Sequence, residues 1–538
     1  MRVVIDALVK LRKFVVRLHA RYFMHKPDRD FISARFRKPP RSPDAPVVLV
    51  QCVENYYYLS LFDWIVGALR TRGSLTVDQF ILRSLRLGSS SSPWGFIKAR
   101  VYQNALTDAK WIRMYAAFCD RIAYRSAGID WSFQFVRDVR DAFRIWWELD
   151  TKEDVLSLKM AGVLVGDLIY DSYLRFKPAA TVDVGDFYLA LVVWQAVRDV
   201  RRAMHYMSTV RPKVYLTSYS SYIQHGIAAR VALQCGVRVF SFGNRQEIIK
   251  ELTISDWVHL RHPDSYRGDF GLLATPAARL AEAEEKLGSR LAGNLDSATA
   301  YMSRSAYADS TARMPDVRGA IVVFLHDFFD SPHCYRWMLY TDFWEWTLAT
   351  IRIAKSLNQR ILLKPHPNQI APSKGVVRRL RRMFPAIEFL SPSTSNRQLA
   401  DGGIACALTV YGTVAHEMAY LGIPTITAGD HPHVSFDFCR TARDPEEYAH
   451  FIGQIPSFEY SRDDLRRQSL EFYYMHNLNF PPGYLQLRDA LAKMAAQINN
   501  PEMLSIHMEN YSRVAHEIRS NPDFASIVDT LQDILKVG

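Results

Sequence analysis

Cysteine is sparse and scattered in this sequence. The six residues, Cys52, Cys119, Cys235, Cys334, Cys406 and Cys439, form no CxxC or other metal spacing. This excludes a zinc-knuckle protein and a disulfide-stapled scaffold, and it suits a reduced, cytoplasmic chain. Long apolar runs are missing too. No segment reaches the roughly 18–20 residues that span a bilayer, and the longest, residues 187–197, has the length of a core helix. Lys10, Arg12, Lys13 and Arg17 interrupt any signal-peptide core. Walker A, GxSxG, HExxH and protein-kinase signatures are absent, and the lack of GxGxxG argues against a dinucleotide oxidoreductase. There is no internal repeat and no long low-complexity segment.

The chain has 538 residues, 49% of them hydrophobic and 12% aromatic. That predicts a well-buried globular protein of two domains with additions. Its net charge of +12 is unevenly spread: residues 1–43 hold twelve Lys/Arg and three acids. Lys10, Lys13, Arg17 and Arg21 follow helical spacing along one face, while Val4, Leu8, Leu11, Val15, Leu18 and Tyr22 line another. The pattern predicts a basic amphipathic helix suited to an anionic membrane surface, with the protein peripheral at the inner face of the plasma membrane. The alternative is a solvated helix packed on the protein's own core. No RNP, zinc or helix-turn-helix pattern accompanies the charge, so nucleic acid is not an expected partner.

Beyond a proline-rich break at residues 38–46, short apolar runs alternate with helical patterns. Strands are predicted at 47–52, 75–82, 213–217 and 237–242, with residues 94–149 read as mostly helical and Trp131, Trp146 and Trp147 as core or groove candidates. A second series of strands begins at 320–325, 360–363, 387–390 and 404–409. The expected class is α/β. A basic arm (1–43) leads into a Rossmann-like domain with a helical insertion (44–270). A connector (271–318), a second Rossmann-like domain (319–460) and a helical tail (461–538) follow. Two such domains facing each other would set a cleft at the carboxyl ends of their strands.

Chemistry-bearing residues fall at these predicted strand ends. After the strand at 404–409, Tyr411-Gly412-Thr413 opens a short helix that carries Glu417 and ends at Gly422-Ile423-Pro424. Such a turn offers backbone N–H groups and a helix dipole to a phosphate, with Glu417 near a sugar hydroxyl. Thr409 closes the strand before it. Lys364-Pro365-His366-Pro367 follows the strand at 360–363; its prolines fix the direction of His366, and Lys364 adds charge. The segment from His326 to His333 contributes His326, Asp327 and Asp330 as candidate general acid or base. Asp430 and His431 follow the strand after the Glu417 helix and are placed beside the transferred sugar. Ser220, Tyr222, His225 and Asp167 supply hydroxyl, imidazole and carboxylate groups for an acceptor in the first domain. Each segment also has a plain reading as cap or turn chemistry.

Lys364-Pro365-His366-Pro367, Tyr411-Gly412-Thr413, Glu417 and Gly422-Ile423-Pro424 together resemble bacterial capsule and surface-polysaccharide glycosyltransferases of the GT-B architecture, in the capsule-synthesis group that includes Kdo transferases. The likeness covers about residues 319–455. It implies that His366, Pro367, Gly412 and Thr413, with Glu417 nearby, hold the donor nucleotide and its phosphate. The acidic catalytic motif of that family has no match here. The expected activity is transfer of a sugar from a nucleotide-sugar donor to a lipid-linked or polysaccharide acceptor, without a metal or other cofactor. CMP-activated ulosonic acids fit the resemblance, and UDP and GDP sugars stay open. Rival readings are a CDP-glycerol or ribitol phosphotransferase, a nucleotide-sugar 2-epimerase, and a non-catalytic assembly protein.

Overall fold

The computed structural model describes residues 24–35, 44–82, 108–125, 133–244, 247–294, 307, 314–367, 371–481, 484–499 and 508–536. The chain divides into two compact units. Unit one takes residues 1–172, 184–259 and 481–538, and unit two takes 173–183 and 260–480.

The sheet of unit one is built from short runs rich in Val, Ile, Tyr and Phe. Its strands are β1 (Val47–Gln51), β2 (Thr76–Ile81), β3 (Arg121–Arg125), β6 (Val214–Thr217), β7 (Arg238–Phe242) and β8 (Ile249–Leu252), with β4 (Lys159–Met160) and β5 (Val163–Leu164) forming a separate hairpin. The order is β3-β2-β1-β6-β7-β8, all parallel except β8 against β7. Val48, Leu49 and Val50 are fully buried in succession. Helices cover both faces of such a strand, so it needs no polar alternation. The principal helices are α1 (Lys26–Arg35), α2 (Tyr56–Arg72), α3 (Phe133–Trp147), α4 (Gly166–Phe176), α5 (Phe187–Val210) and α6 (Ile223–Gln234).

In unit two the strands are β9 (Ile321–Phe324), β10 (Ile361–Lys364), β11 (Glu388–Phe389), β12 (Cys406–Thr409), β13 (Thr425–Thr427) and β14 (Cys439–Thr441). All are parallel, in the order β11-β10-β9-β12-β13-β14. Around them lie α7 (Pro276–Leu291), α8 (Phe343–Ser356), α9 (Ala371–Met383), α10 (Val414–Tyr420) and α11 (Arg462–Asn477). In both sheets the first strand stands at the centre and the chain winds outward to either side. This is the doubly wound order of Rossmann-like folds, and it opens a crevice at the carboxyl ends of the two central strands.

Several boundaries differ from the sequence reading. The stretch expected to be a helical insertion contains β3, an edge strand whose alternation is masked by arginines. Arg121 there grips Asp78 of β2 with two bonds of 2.7 and 2.9 Å. Charged edge strands of this kind protect a sheet from further pairing. The predicted connector is also structured: α7 packs on α11 within unit two. The predicted tail divides at residue 480. Its first helix, α11, lies in unit two, while α12 (Tyr484–Asn499), α13 (Met508–Arg519) and α14 (Pro522–Lys536) lie in unit one.

Part of the basic arm belongs to the core of unit one. On α1, Phe31 is fully buried and meets Tyr511 edge to face at 5.4 Å. Asp28 is buried beside Lys110, 3.6 Å away. Residues 1–23, which carry the amphipathic pattern from Val4 to Tyr22, lie outside the described residues, as do Trp94 and Trp131. Among the described residues no helix is long and apolar enough to cross a membrane. Truncating a buried phenylalanine typically costs about 3–5 kcal/mol. Phe31→Ala is therefore expected to lower unfolding stability by about that amount, measured by urea titration.

Candidate functional site

The crevice of unit two lies between β9 and β12, and it is pinned by one imidazole. His326, two residues beyond β9, places Nε2 3.0 Å from Thr409 Oγ1 and accepts the Val410 N–H at 3.1 Å. Thr409 Oγ1 in turn accepts the Gly412 N–H at 3.2 Å. The Thr409 hydroxyl therefore donates to His326, whose proton sits on Nδ1. The ring stacks on Phe343 at 4.4 Å. Burial first, then the neighbouring His366, pull its pKa down to about 3. A neutral imidazole whose free lone pair already takes two donors cannot collect a proton from substrate. His326 is thus a positioning residue in this arrangement, although the sequence pattern placed it with the acids and bases. Gly412 is required at its position, since a Cβ there would lie 2.8 Å from Thr409 Oγ1.

Tyr411 caps the crevice. Its hydroxyl reaches the carbonyl oxygens of Ser331 and Pro332, both at 3.2 Å, and its ring leans on His326 and Tyr335. This ties the β12 turn to the loop after β9. Thr413 precedes α10 and makes no side-chain cap bond to it. Pro367 is a turn residue that follows the half-buried His366. The His366 pKa is lowered by burial and by Lys364, against the opposing charges of Asp327, Asp330 and Glu417.

Lys364 ends β10, in register with Phe324 of β9. Its side chain is buried, with the ammonium 5.6 Å from the Phe324 ring centre. Among the described residues the ammonium makes no hydrogen bond or ion pair. Burial draws its pKa down to about 8, opposed by the charge of Glu417. Glu417, however, is already engaged: Arg290 of α7 bonds one carboxylate oxygen at 2.6 Å and Tyr307 the other at 2.9 Å. Arg290, Tyr307 and Glu417 are all buried. Lys364 and Arg290 thus share one carboxylate, which leaves this interior with a surplus positive charge.

Asp327 accepts from Ser373 Oγ at 2.7 Å and from the Phe329 N–H at 3.2 Å, which orients its carboxylate. Asp330, bonded to the Ser331 N–H, is exposed. Asp430 and His431 are buried instead of lining an open surface. Arg336 bonds Asp430 at 2.9 Å, and His262 Nε2 lies equally near it. Burial would raise the Asp430 carboxyl, but these two neighbours outweigh it and hold it below the usual range. His431 packs on His433 at 4.1 Å and on Phe472 at 5.8 Å, its pKa driven well down by burial.

Unit one carries a second crevice, between β1 and β6, where the described groups that meet one another are amide, hydroxyl and imidazole. Gln51 accepts from Thr217 Oγ1 at 2.8 Å and lies 2.7 Å from His225 Nδ1. Ser220 Oγ lies 3.0 Å from His259 Nδ1 and accepts the His259 N–H at 3.0 Å. Tyr222 has φ +61°, a region that non-glycine residues enter only at a cost. Ser220, Tyr222 and His225 therefore gather at one strand end. Asp167 does not join them; it forms a two-bonded pair with Arg230, one contact at 2.6 Å.

The sequence reading did not single out Arg290, Tyr307, Ser373, Arg336, Gln51 or His259. Arg290 and Tyr307 fall in the supposed connector, where no local pattern marks them as partners of a glutamate more than a hundred residues away.

No protein-family model matches the chain, and no curated protein sequence matches it. Solved structures with a similar fold include the UDP-GlcNAc 2-epimerase of Methanocaldococcus jannaschii in complex with UDP-GlcNAc and UDP. It is 10% identical over 79% of this chain and 97% of that one, with a TM-score of 0.26. MurG of Acinetobacter baumannii is 10% identical over 84% and 100%, with a TM-score of 0.27. The calicheamicin glycosyltransferase CalG4 is 10% identical over 85% and 100%, with a TM-score of 0.25. Superposition this loose carries no chemistry, and the functional reading rests on the residues above.

Removing one partner of a buried ion pair typically costs about 3–5 kcal/mol, whereas replacing both by apolar groups can be nearly neutral. Glu417→Gln is expected to destabilise unit two by about that amount, and Arg290→Met with Glu417→Leu to restore most of it. Chemical denaturation of the three variants checks this.

Proposed function

We propose that the chain is a glycosyltransferase of the GT-B type that binds the phosphates of a nucleotide-sugar donor at the β9–β12 crevice of unit two. The ammonium of Lys364, on a buried side chain and without an ion pair among the described residues, carries this reading. A charge taken from water without a counter-ion is costly, and an arriving phosphate supplies one. His366 and the turn at Tyr411 to Thr413 stand at the same strand ends, suited to the rest of the nucleotide. Leaving-group charge that develops on the phosphates would be met by a fixed cation in a low-dielectric setting. Asp327, oriented by Ser373, and Asp330, exposed on the same loop, are the carboxylates suited to take a proton from the acceptor hydroxyl. The neutral crevice of Ser220, Tyr222 and His225 suits sugar hydroxyls. We assign the acceptor to a lipid-linked or polysaccharide glycan, on the resemblance of the Lys364–Pro367 and Tyr411–Thr413 motifs to surface-polysaccharide enzymes.

The Lys364 pKa sets a pH signature. Without ligand, the folded pKa lies below that of the unfolded chain, so stability increases as pH rises from about 8 towards the ordinary lysine value near 10.4. Anion binding needs the protonated amine, so nucleotide affinity is expected to be flat below pH 8 and to fall up to about tenfold per unit above it. Lys364→Met should raise the melting temperature of the free protein and abolish the upward shift given by CMP, UDP or GDP. Calorimetric titration at pH 7 and 9 and thermal scans of both proteins test this. An undiminished nucleotide response in Lys364→Met would remove the assignment.

The carboxylate role is read separately. Asp330→Asn or Asp327→Asn is expected to lower turnover by about 10²–10⁴-fold while nucleotide affinity stays near wild type. Conversion of a nucleotide sugar to its epimer without any acceptor would instead assign the site to an epimerase.

A further inference from the structure

Among the described residues, nothing covers the apolar face that helix α3 presents to solvent. Phe133 is 96% exposed, Phe143 50% and Trp147 73%, and Val136 and Val139 lie on the same side. These residues recur at three- and four-residue intervals, as one stripe of an amphipathic helix requires. Aromatic contacts bind the stripe together: Phe143 stacks on Trp147 at 5.9 Å and meets Trp146 at 5.5 Å. Phe187, at the start of α5 and 63% exposed, extends the patch through Trp146 at 6.4 Å.

The polar residues of this helix are sorted by sign. Arg137, Arg140 and Arg144 are exposed along one edge of the stripe. The acids of the helix, Asp138 and Asp141, are buried on the opposite side, where Arg201 of α5 pairs with both. Arg140 also shares Asp141. The outward face of the helix thus combines apolar area with positive charge, its own acids being turned away and the exposed Glu148 following just beyond its last residue. Exposed aromatic residues in this number are unusual on a surface that stays in water.

We infer that α3 is a membrane-docking helix that lies in the plane of an anionic phospholipid surface. Its 15 residues, interrupted by arginines, are too short and too charged to span a bilayer. They match the layout of an interfacial helix, with Phe and Trp at the headgroup boundary and guanidinium groups on the phosphates. A second copy of the chain is the poorer occupant, because three exposed arginines against the exposed Glu148 beyond the helix leave an excess of positive charge that two copies would bring together. The inference does not depend on the donor-site reading, since it concerns unit one and uses no nucleotide.

Co-sedimentation of the full chain with vesicles tests it. The protein is expected to bind vesicles containing about 30% phosphatidylglycerol and to bind pure phosphatidylcholine weakly. Phe143→Ser with Trp147→Ser should reduce partitioning by at least about tenfold. Arg137→Gln with Arg144→Gln should reduce the preference for the anionic lipid. Val139→Glu, a single exposed change, is a second probe, and it should weaken binding in the same direction. Unchanged vesicle binding in all three variants would overturn the inference and move any membrane contact to residues 1–23. A wild-type dimer that becomes monomeric in the Phe143/Trp147 variant, with vesicle binding intact, would overturn it in favour of self-association.

Discussion

Lys364 places a cationic amine where its nearest countercharge is already taken. Glu417 is held by Arg290 and Tyr307, so two buried cations share one buried carboxylate. Low dielectric makes this imbalance expensive, which is why the amine sits near pH 8 and not near its ordinary value. The surrounding elements can be understood as the structure that tolerates it. The β9–β12 order opens the crevice, the Phe324 ring gives the ammonium a polarisable face, and α7 fixes Arg290 so that Glu417 cannot swing across to neutralise Lys364. A buried surplus cation of this kind costs stability, and an anion that reached it would return part of that cost.

The histidines have a different role from the one their clustering suggests. His326, His416, His431, His433 and His476 are buried or nearly so, and burial lowers the pKa of each. At neutral pH they act as uncharged aromatic rings that can still accept a hydrogen bond. His326 uses that property to hold the Thr409–Gly412 turn. The others pack around Phe472 of α11, which brings α10, the loop after β13, and α11 into one aromatic cluster. On the function proposed above, proton transfer at this site falls to the carboxylates on the loop after β9. These stay close to solvent, while the imidazoles act as scaffold.

Much of this arrangement was legible in the sequence because strand ends are punctuated. Pro365 and Pro367 around His366, Gly412 after Thr409, and the Gly422-Ile423-Pro424 stop each mark a boundary that local chemistry explains. The alternation of buried strands and helices revealed the class. Long-range pairing was not legible. Nothing near Glu417 announces Arg290, and nothing near Asp430 announces Arg336 or His262. The edge strand β3 was lost for a related reason: it carries arginines where a central strand carries valines, so its apolar signal is weak. Single-letter pattern shows where a side chain starts, but what it meets depends on packing between segments distant in the chain.

The two units share a doubly wound strand order but differ in the groups at their central strand ends, and on the function proposed above this difference separates their roles. At the central strand ends of unit two there is a surplus cation, with carboxylates on the adjoining loop. At the same place in unit one, Gln51, Thr217, Ser220, His225 and His259 form a network of amide, hydroxyl and imidazole groups, in which burial and then the charge of Lys250 hold the His259 pKa near 3. Phosphate is bound by charge, because its hydration must be replaced by something comparably strong. Sugar hydroxyls are both donors and acceptors, and neutral amide, hydroxyl and imidazole groups match them without desolvating an ion. The strained φ of Tyr222 stands at that neutral crevice and not among the charges.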